Sequence, residues 1–133
     1  MILLCPWLDV SMVNPDIEIF ERKDSLLSKR VLITAGKYYA NGADRKQPEI
    51  SPIYGDFEGL TQMHVFIGTH DILAADARKL NDRLKYTNIN MNYYEFDKMF
   101  HVWMFFPIPE AREAIRKIKE IILSTEPVES GFT

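Results

Sequence analysis

Only one cysteine stands among the 133 residues, Cys5, so no disulfide can form within the chain and the framework of a small secreted domain is excluded. Histidine is scarce too, and the three present, His64, His70 and His101, show no recurring metal-ligand spacing, so no metal and no cofactor are expected. Positive charge is not concentrated anywhere: 16 Lys and Arg are scattered among 19 Asp and Glu, and a net charge of −3 argues against nucleic acid as a partner. No long hydrophobic run occurs either. The opening "MILLCPW" has no basic leader and is far too short for a signal segment or a bilayer span, so it reads as a strand that begins on the first residue. A cytoplasmic chain with no membrane span is the expectation. Internal repeats and low-complexity tracts are absent as well.

What remains is an ordinary globular composition, 47% hydrophobic and 26% charged, over the length of one domain. The run "ILLC", stopped by Pro6, fits a strand buried on both faces of a parallel sheet, as does "MHVFIG" at 63–68. A third run, "NINMNYYEF", is less clean. Strands are predicted at about 1–5, 63–68 and 90–95. Between the last two, Leu73, Ala77, Leu80 and Leu84 step by four, three and four, which predicts a helix over about 72–86. Another is predicted over about 109–123, with Pro109 in its first turn and a buried stripe of Ala111, Ala114, Ile115, Ile118, Ile121 and Ile122. Glu113 and Lys117 form a favourable pair along it. This alternation predicts an α/β fold with a right-handed βαβ unit on a parallel sheet. The segment 12–62 lacks the rhythm. It holds one predicted helix at about 28–40, with Ser28 as N-cap and Gly42 past its end, although the Val-Leu-Ile-Thr run also suits a strand. Turn pairs such as Asn14-Pro15, Asn41-Gly42 and Ser51-Pro52 fill the rest, as in an inserted element that covers a site.

Ligands of open α/β sheets bind beyond the carboxyl ends of the strands. Asp71 follows the second strand there and His101 the third, so a carboxylate and an imidazole would project from one edge and could form the orienting half of a Ser-His-Asp device. Each also has a plainer reading. Asp71 could N-cap the helix starting at Ile72, and His101, inside "MFHVWMFF", could be a core histidine. His64 lies within a strand, His70 reads as a solvent-facing neighbour, and Asp76 as a first-turn carboxylate that could support the site. A nucleophile is missing: none of the six serines has the Gly-x-Ser-x-Gly context, and no HGGG-type oxyanion loop is present. Cys5 is nucleophilic by type and sits on the right edge, but a small buried hydrophobe is the plainer account of it.

Taken together, "CPWLDVSM", "PEISPIYGDFEGLTQMHVFIGTHDILAADAR" and "MFHVW…PEAREAIRKI" resemble the C-terminal half of the hormone-sensitive-lipase-like branch of the α/β-hydrolase fold, the acetyl esterase and lipase group. The resemblance implies that Asp71 is the catalytic acid and His101 the general base. It places Trp7 and Asp9 in support of the site's floor, and puts Cys5 where the family usually has serine. It makes the three strands the last three of the family sheet, residues 12–50 part of a cap, and the whole 1–133 a single incomplete α/β-hydrolase domain with a flexible tail at 125–133. The implied function is the acid-and-base half of a carboxylic-ester hydrolase acting on small acyl esters, inactive alone because serine and oxyanion hole are missing. The alternative is a non-catalytic remnant or interaction module. Either would expose a sheet edge, so self-association or pairing with a separate N-terminal half is expected.

Overall fold

The apolar run at 62–68 is the middle of the sheet. In a computed structural model that describes residues 1–60 and 62–124, β1 (Ile2–Leu4), β2 (Gln62–Gly68) and β3 (Asn90–Phe96) are all parallel and lie in the order β1-β2-β3. Leu3 pairs with Val65 and Val65 with Tyr93; Leu4, Phe66 and Tyr94 form the next level. As the central strand of three, β2 is covered on both faces, and every residue from Met63 to Gly68 is buried. That explains a run without polar alternation. The tail expected at 125–133 lies outside the described residues.

The chain falls into two compact units, residues 1–102 and 103–133. In the first, Met63 on one face of β2 joins Leu8, Ile53, Phe57, Leu80 and Leu84 in the hydrophobic core. Leu80 and Leu84 come from α3 (Ala74–Leu84), and the predicted stripe of that helix, Leu73 and Ala77 included, is buried. On the other face of the sheet the aromatic ring of Phe66 packs against Tyr94 at 4.7 Å between centroids. The second unit holds a 3-10 turn, Trp103–Phe105, and α4 (Pro109–Ser124). Of the stripe predicted on α4, Ala111 and Ala114 are buried, whereas Ile115 and Ile122 are about half exposed, at 49% and 50%. Periodicity reports which face can be buried, not whether it is covered. An ion pair four residues apart on this helix joins Arg116 and Glu120 at 2.7 Å, a different pair from the expected Glu113 and Lys117.

Residues 5–61 carry the connection from β1 to β2. The ambiguous Val-Leu-Ile-Thr run is helical: α2 (Lys29–Ala40) starts at Ser28, whose hydroxyl accepts the Val31 N–H, and ends at Asn41 in the left-handed conformation. Helix formation there buries Leu32, Gly36 and Ala40 on one stripe, a packing gain that overrides the β preference of Val and Ile. Gly36 is the contact point with the loop after β1, since a Cβ at that position would run into the Val10 carbonyl. A short helix absent from the sequence-based expectation, α1 (Ile17–Glu21), precedes α2 and packs Ile17 and Phe20 inward. Only five residues long, it offers too few positions to show a period.

Candidate functional site

The loops that follow β2 and β3 are bound to each other before any side-chain chemistry is considered. Thr69 N–H donates to the Phe96 carbonyl at 3.0 Å and His70 N–H to the Met99 carbonyl at 3.0 Å. The Thr69 hydroxyl donates to Asp97 at 3.2 Å and accepts the Lys98 N–H at 2.7 Å. Where the loops touch, Gly68 is required: a side chain there would collide with the Met99 carbonyl. Sequence positions thirty apart therefore share one rigid edge.

From that edge Asp71 and His101 meet. The Nδ1 of His101 lies 2.9 Å from Oδ2 of Asp71, and because a carboxylate oxygen accepts, Nδ1 is the donor and Nε2 keeps its lone pair. Asp71 is fully buried while 25% of the His101 side chain is accessible, so a partly exposed ring is held by a carboxylate withdrawn from solvent. The other carboxylate oxygen, Oδ1, accepts the Leu73 N–H at 2.9 Å at the start of α3. The expected N-cap role is not what Asp71 plays: α3 begins at Ala74 with Leu73 as its N-cap, and Asp71 instead closes the turn before the helix with one oxygen while the other meets His101.

Cys5 completes this cluster. Its Sγ, a carboxylate oxygen of Asp71 and a ring nitrogen of His101 lie within 4.8 Å of one another, a donor set of the kind that can hold a cation. Two of its three members, however, already share the His–Asp hydrogen bond. Cys5 is 4% exposed, and its sulfur accepts the Val102 N–H at 3.3 Å. Burial, followed by the charge of Asp71, pushes its thiol well up from the ordinary range, which keeps it protonated and unreactive.

Of the other residues singled out from sequence, Trp7 and Asp9 stabilise the loop after β1. The indole N–H of Trp7 donates to the Asp9 carbonyl at 3.0 Å. Asp9 is fully buried and accepts from Ser11 N–H at 2.8 Å, Ser11 Oγ at 2.5 Å and Tyr54 Oη at 2.7 Å, with Ser51 Oγ at 3.4 Å. Asp76 is likewise buried, accepts the Asn14 amide at 2.9 Å, and has its carboxyl pushed up by that burial. It ties α3 to the connection rather than touching His101. His70 lies half-buried in the turn, and His64 is buried in β2 against the Tyr94 ring, 6.1 Å between centroids.

One residue of the site was not foreseen. Asp24, half-buried after α1, accepts the Ile72 N–H at 2.8 Å, and its other oxygen accepts the N–H groups of Leu26 and Leu27. It fastens the segment before α2 to the residue next to Asp71. "Asp24-Ser25" carries a turn signal in the sequence, but nothing local announces a partner 48 positions away. Beside β1, Met1, Leu3, Trp7, Leu8, Phe57 and Met63 are among the residues lining an apolar groove of about 460 Å³.

The chain is similar to known proteins. Among curated proteins, an esterase of Acinetobacter venetianus is 25% identical over 95% of this chain and 43% of its own length. An acetyl-hydrolase of Streptomyces hygroscopicus is 28% identical over 86% of this chain and 39% of its own length. The chain therefore spans about two fifths of the curated relatives it matches. Among solved structures, EstE5 superposes with a TM-score of 0.87 at 28% identity, over 92% of this chain and 42% of that one. EstE7, a hormone-sensitive-lipase homologue from a metagenome library, gives 0.87 at 26% identity, over 92% and 43%. A family model described as alpha/beta hydrolase fold matches residues 1–105, and with three parallel strands and the helices flanking them the chain belongs to that family.

Proposed function

We propose that this chain is the acid-and-base portion of a carboxylic-ester hydrolase that works by a Ser-His-Asp mechanism on small acyl esters. The observation that carries the reading is the 2.9 Å bond between His101 Nδ1 and the fully buried Asp71, with a quarter of the His101 side chain accessible. Esterases and acetyl-hydrolases among the relatives support it. In this reading His101 Nε2 takes the proton of a serine hydroxyl as the oxygen attacks the ester carbonyl, and then returns it to the departing alcohol. Asp71 fixes the tautomer and stabilises the imidazolium. A water molecule, activated by the same nitrogen, releases the acid in the second half of the cycle.

No Gly-x-Ser-x-Gly segment occurs in these 133 residues, so the serine and the oxyanion donors come from residues outside them. The 133-residue chain alone is expected to turn over a short-chain nitrophenyl ester no faster than buffer. Mixing it with a polypeptide that carries the serine segment should generate activity that His101→Ala abolishes. Robust turnover by the isolated chain, lost in His101→Ala, would refute the need for an outside nucleophile. A free cysteine and the absence, among the described residues, of a helix long and apolar enough to cross a membrane fit our assignment to a reducing, cytoplasmic setting.

A second reading, an interaction module without catalysis, draws on the outer edge of β1, which pairs with no strand among the described residues and runs beside the apolar groove. Either reading gives the chain a partner, an N-terminal half or a second copy. A monodisperse monomer that binds no hydrophobic dye would count against both forms of assembly.

A further inference from the structure

We propose that Cys5 is a positioning residue, whose sulfur holds Val102 in a strained backbone conformation and thereby sets the His101 ring on Asp71. The inference rests on His101 and Asp71 being the acid-base pair. Two residues of the cluster have left-handed backbones without being glycine: Cys5 at φ 45° and Val102 at φ 51°. For valine this is unusual, because both γ-methyls crowd the preceding and following peptide groups. Such a conformation persists where the surroundings over-determine it.

The atoms that do so are visible. Cys5 N–H continues the β-ladder to the Phe66 carbonyl at 2.8 Å, which anchors its backbone to the middle strand. The chain then turns sharply, and the thiol reaches the Val102 N–H at 3.3 Å. Val102 lies in a turn outside any helix or strand, and the acceptor of its N–H is the Cys5 sulfur. The contact is part-buried, and an amide withdrawn from water without an acceptor is costly, so the sulfur favours this turn. Val102 directly follows His101, and its φ governs how the chain leaves the ring. The contact thus connects the end of β1 to the loop after β3, and by way of that loop to the Nδ1 proton. No bond to substrate is involved and no thiolate forms.

The test reads the histidine directly. In the 133-residue chain with ¹⁵N-labelled histidine and valine, the Nδ1–H of His101 should appear as a hydrogen-bonded, slowly exchanging proton. In Cys5→Ala its exchange with water, and that of the Val102 amide, should rise about 2- to 10-fold, the range a lost neutral hydrogen bond predicts. Cys5→Ser, which keeps an acceptor at nearly the same place, should recover most of the protection. Val102→Gly relieves the backbone strain, so in that background Cys5→Ala should have a smaller effect. Unchanged exchange of both protons in Cys5→Ala, or an effect of Cys5→Ala on the His101 proton that is the same with and without Val102→Gly, would overturn the proposal. Should Cys5→Ala fail to fold, the parent chain decides: a Val102 amide that exchanges as fast as a free peptide refutes the contact. Ester turnover after complementation is a separate readout. Its absence would sink the hydrolase reading while leaving the proton exchange, and hence the positioning, intact.

Discussion

Asp9 is the acceptor around which the connection between β1 and β2 is organised, and removing it tests whether a buried carboxylate can stabilise a loop of that length. Its oxygens take the Ser11 N–H at 2.8 Å, the Ser11 hydroxyl at 2.5 Å and the Tyr54 hydroxyl at 2.7 Å. Hydrogen bonds to a charged acceptor contribute about 1.5–3 kcal/mol apiece, but bonds sharing one acceptor are not additive. Asp9→Ala deletes the acceptor and leaves buried donors without one, for an expected loss of about 3–5 kcal/mol. Asp9→Asn retains one acceptor oxygen and lets the hydroxyls rotate, so about 1–2 kcal/mol is expected. In urea, with a slope of about 2 kcal/mol per molar, the middle of the usual range, the alanine variant should lower the midpoint by roughly 1.5–2.5 M and the asparagine variant by less than half that. A second signature belongs to Tyr54. Burial and then the hydrogen bond to Asp9 push its phenol up from the ordinary value, so removing Asp9 should bring it down in a spectrophotometric alkaline titration. An alanine variant with the parent's urea midpoint and the parent's Tyr54 titration would show that the loop is held by its apolar contacts alone.

Gly68→Ala places a methyl against the Met99 carbonyl and should cost about 1–3 kcal/mol; because it separates the two loops, it should also speed exchange of the His101 Nδ1 proton. A variant as stable and as protected as the parent would remove the close approach from the account. Buried in β2, His64 has both ring nitrogens without a hydrogen-bond partner, and its pKa is lowered by that burial and by the Met1 ammonium. Its unfolded form titrates near 6.5, so stability is complete above that pH and falls as the pH drops from there toward the folded value. His64→Leu should raise stability at neutral pH by about 1–2 kcal/mol and flatten the decline between about pH 7 and 5, as read from urea midpoints; an unchanged slope would assign the decline to other groups. At the alkaline end Tyr54 and Tyr93 are both raised, chiefly by burial, so the unfolded chain releases its phenolic protons first. Thermal midpoints should therefore fall as the pH rises above about 10, less steeply in Tyr93→Phe.

The parallel sheet was legible because continuous apolar runs and a clean helical stripe on Leu73, Ala77, Leu80 and Leu84 have few other solutions. The five-residue α1 was not, for want of a period. Uncertainty over residues 31–34 had a physical source: β-branched residues suit a strand until a stripe of Leu32, Gly36 and Ala40 finds something to pack against. At the candidate site, position beyond the strand ends brought Asp71 and His101 to one edge, but the sequence alone left each with a plainer reading. The helix starts two residues later than expected, at Ala74, so Asp71 closes the preceding turn and is not its N-cap. Asp24 and the sulfur–Val102 contact stayed hidden because both depend on backbone N–H groups, which a sequence does not distinguish from one another.

The hydrogen bonds from Thr69 and His70 to the loop after β3 also bear on how a catalytic centre could be assembled from two pieces. In the proposed hydrolase, with those loops fastened, the imidazole would be aimed and its tautomer chosen before any serine arrived. An incoming segment would meet a base that needs no reorganisation, and the free energy of docking would go to placing one hydroxyl instead of ordering several side chains. The rate after mixing would then follow the fraction of chains joined, with no slower maturation of the histidine behind it.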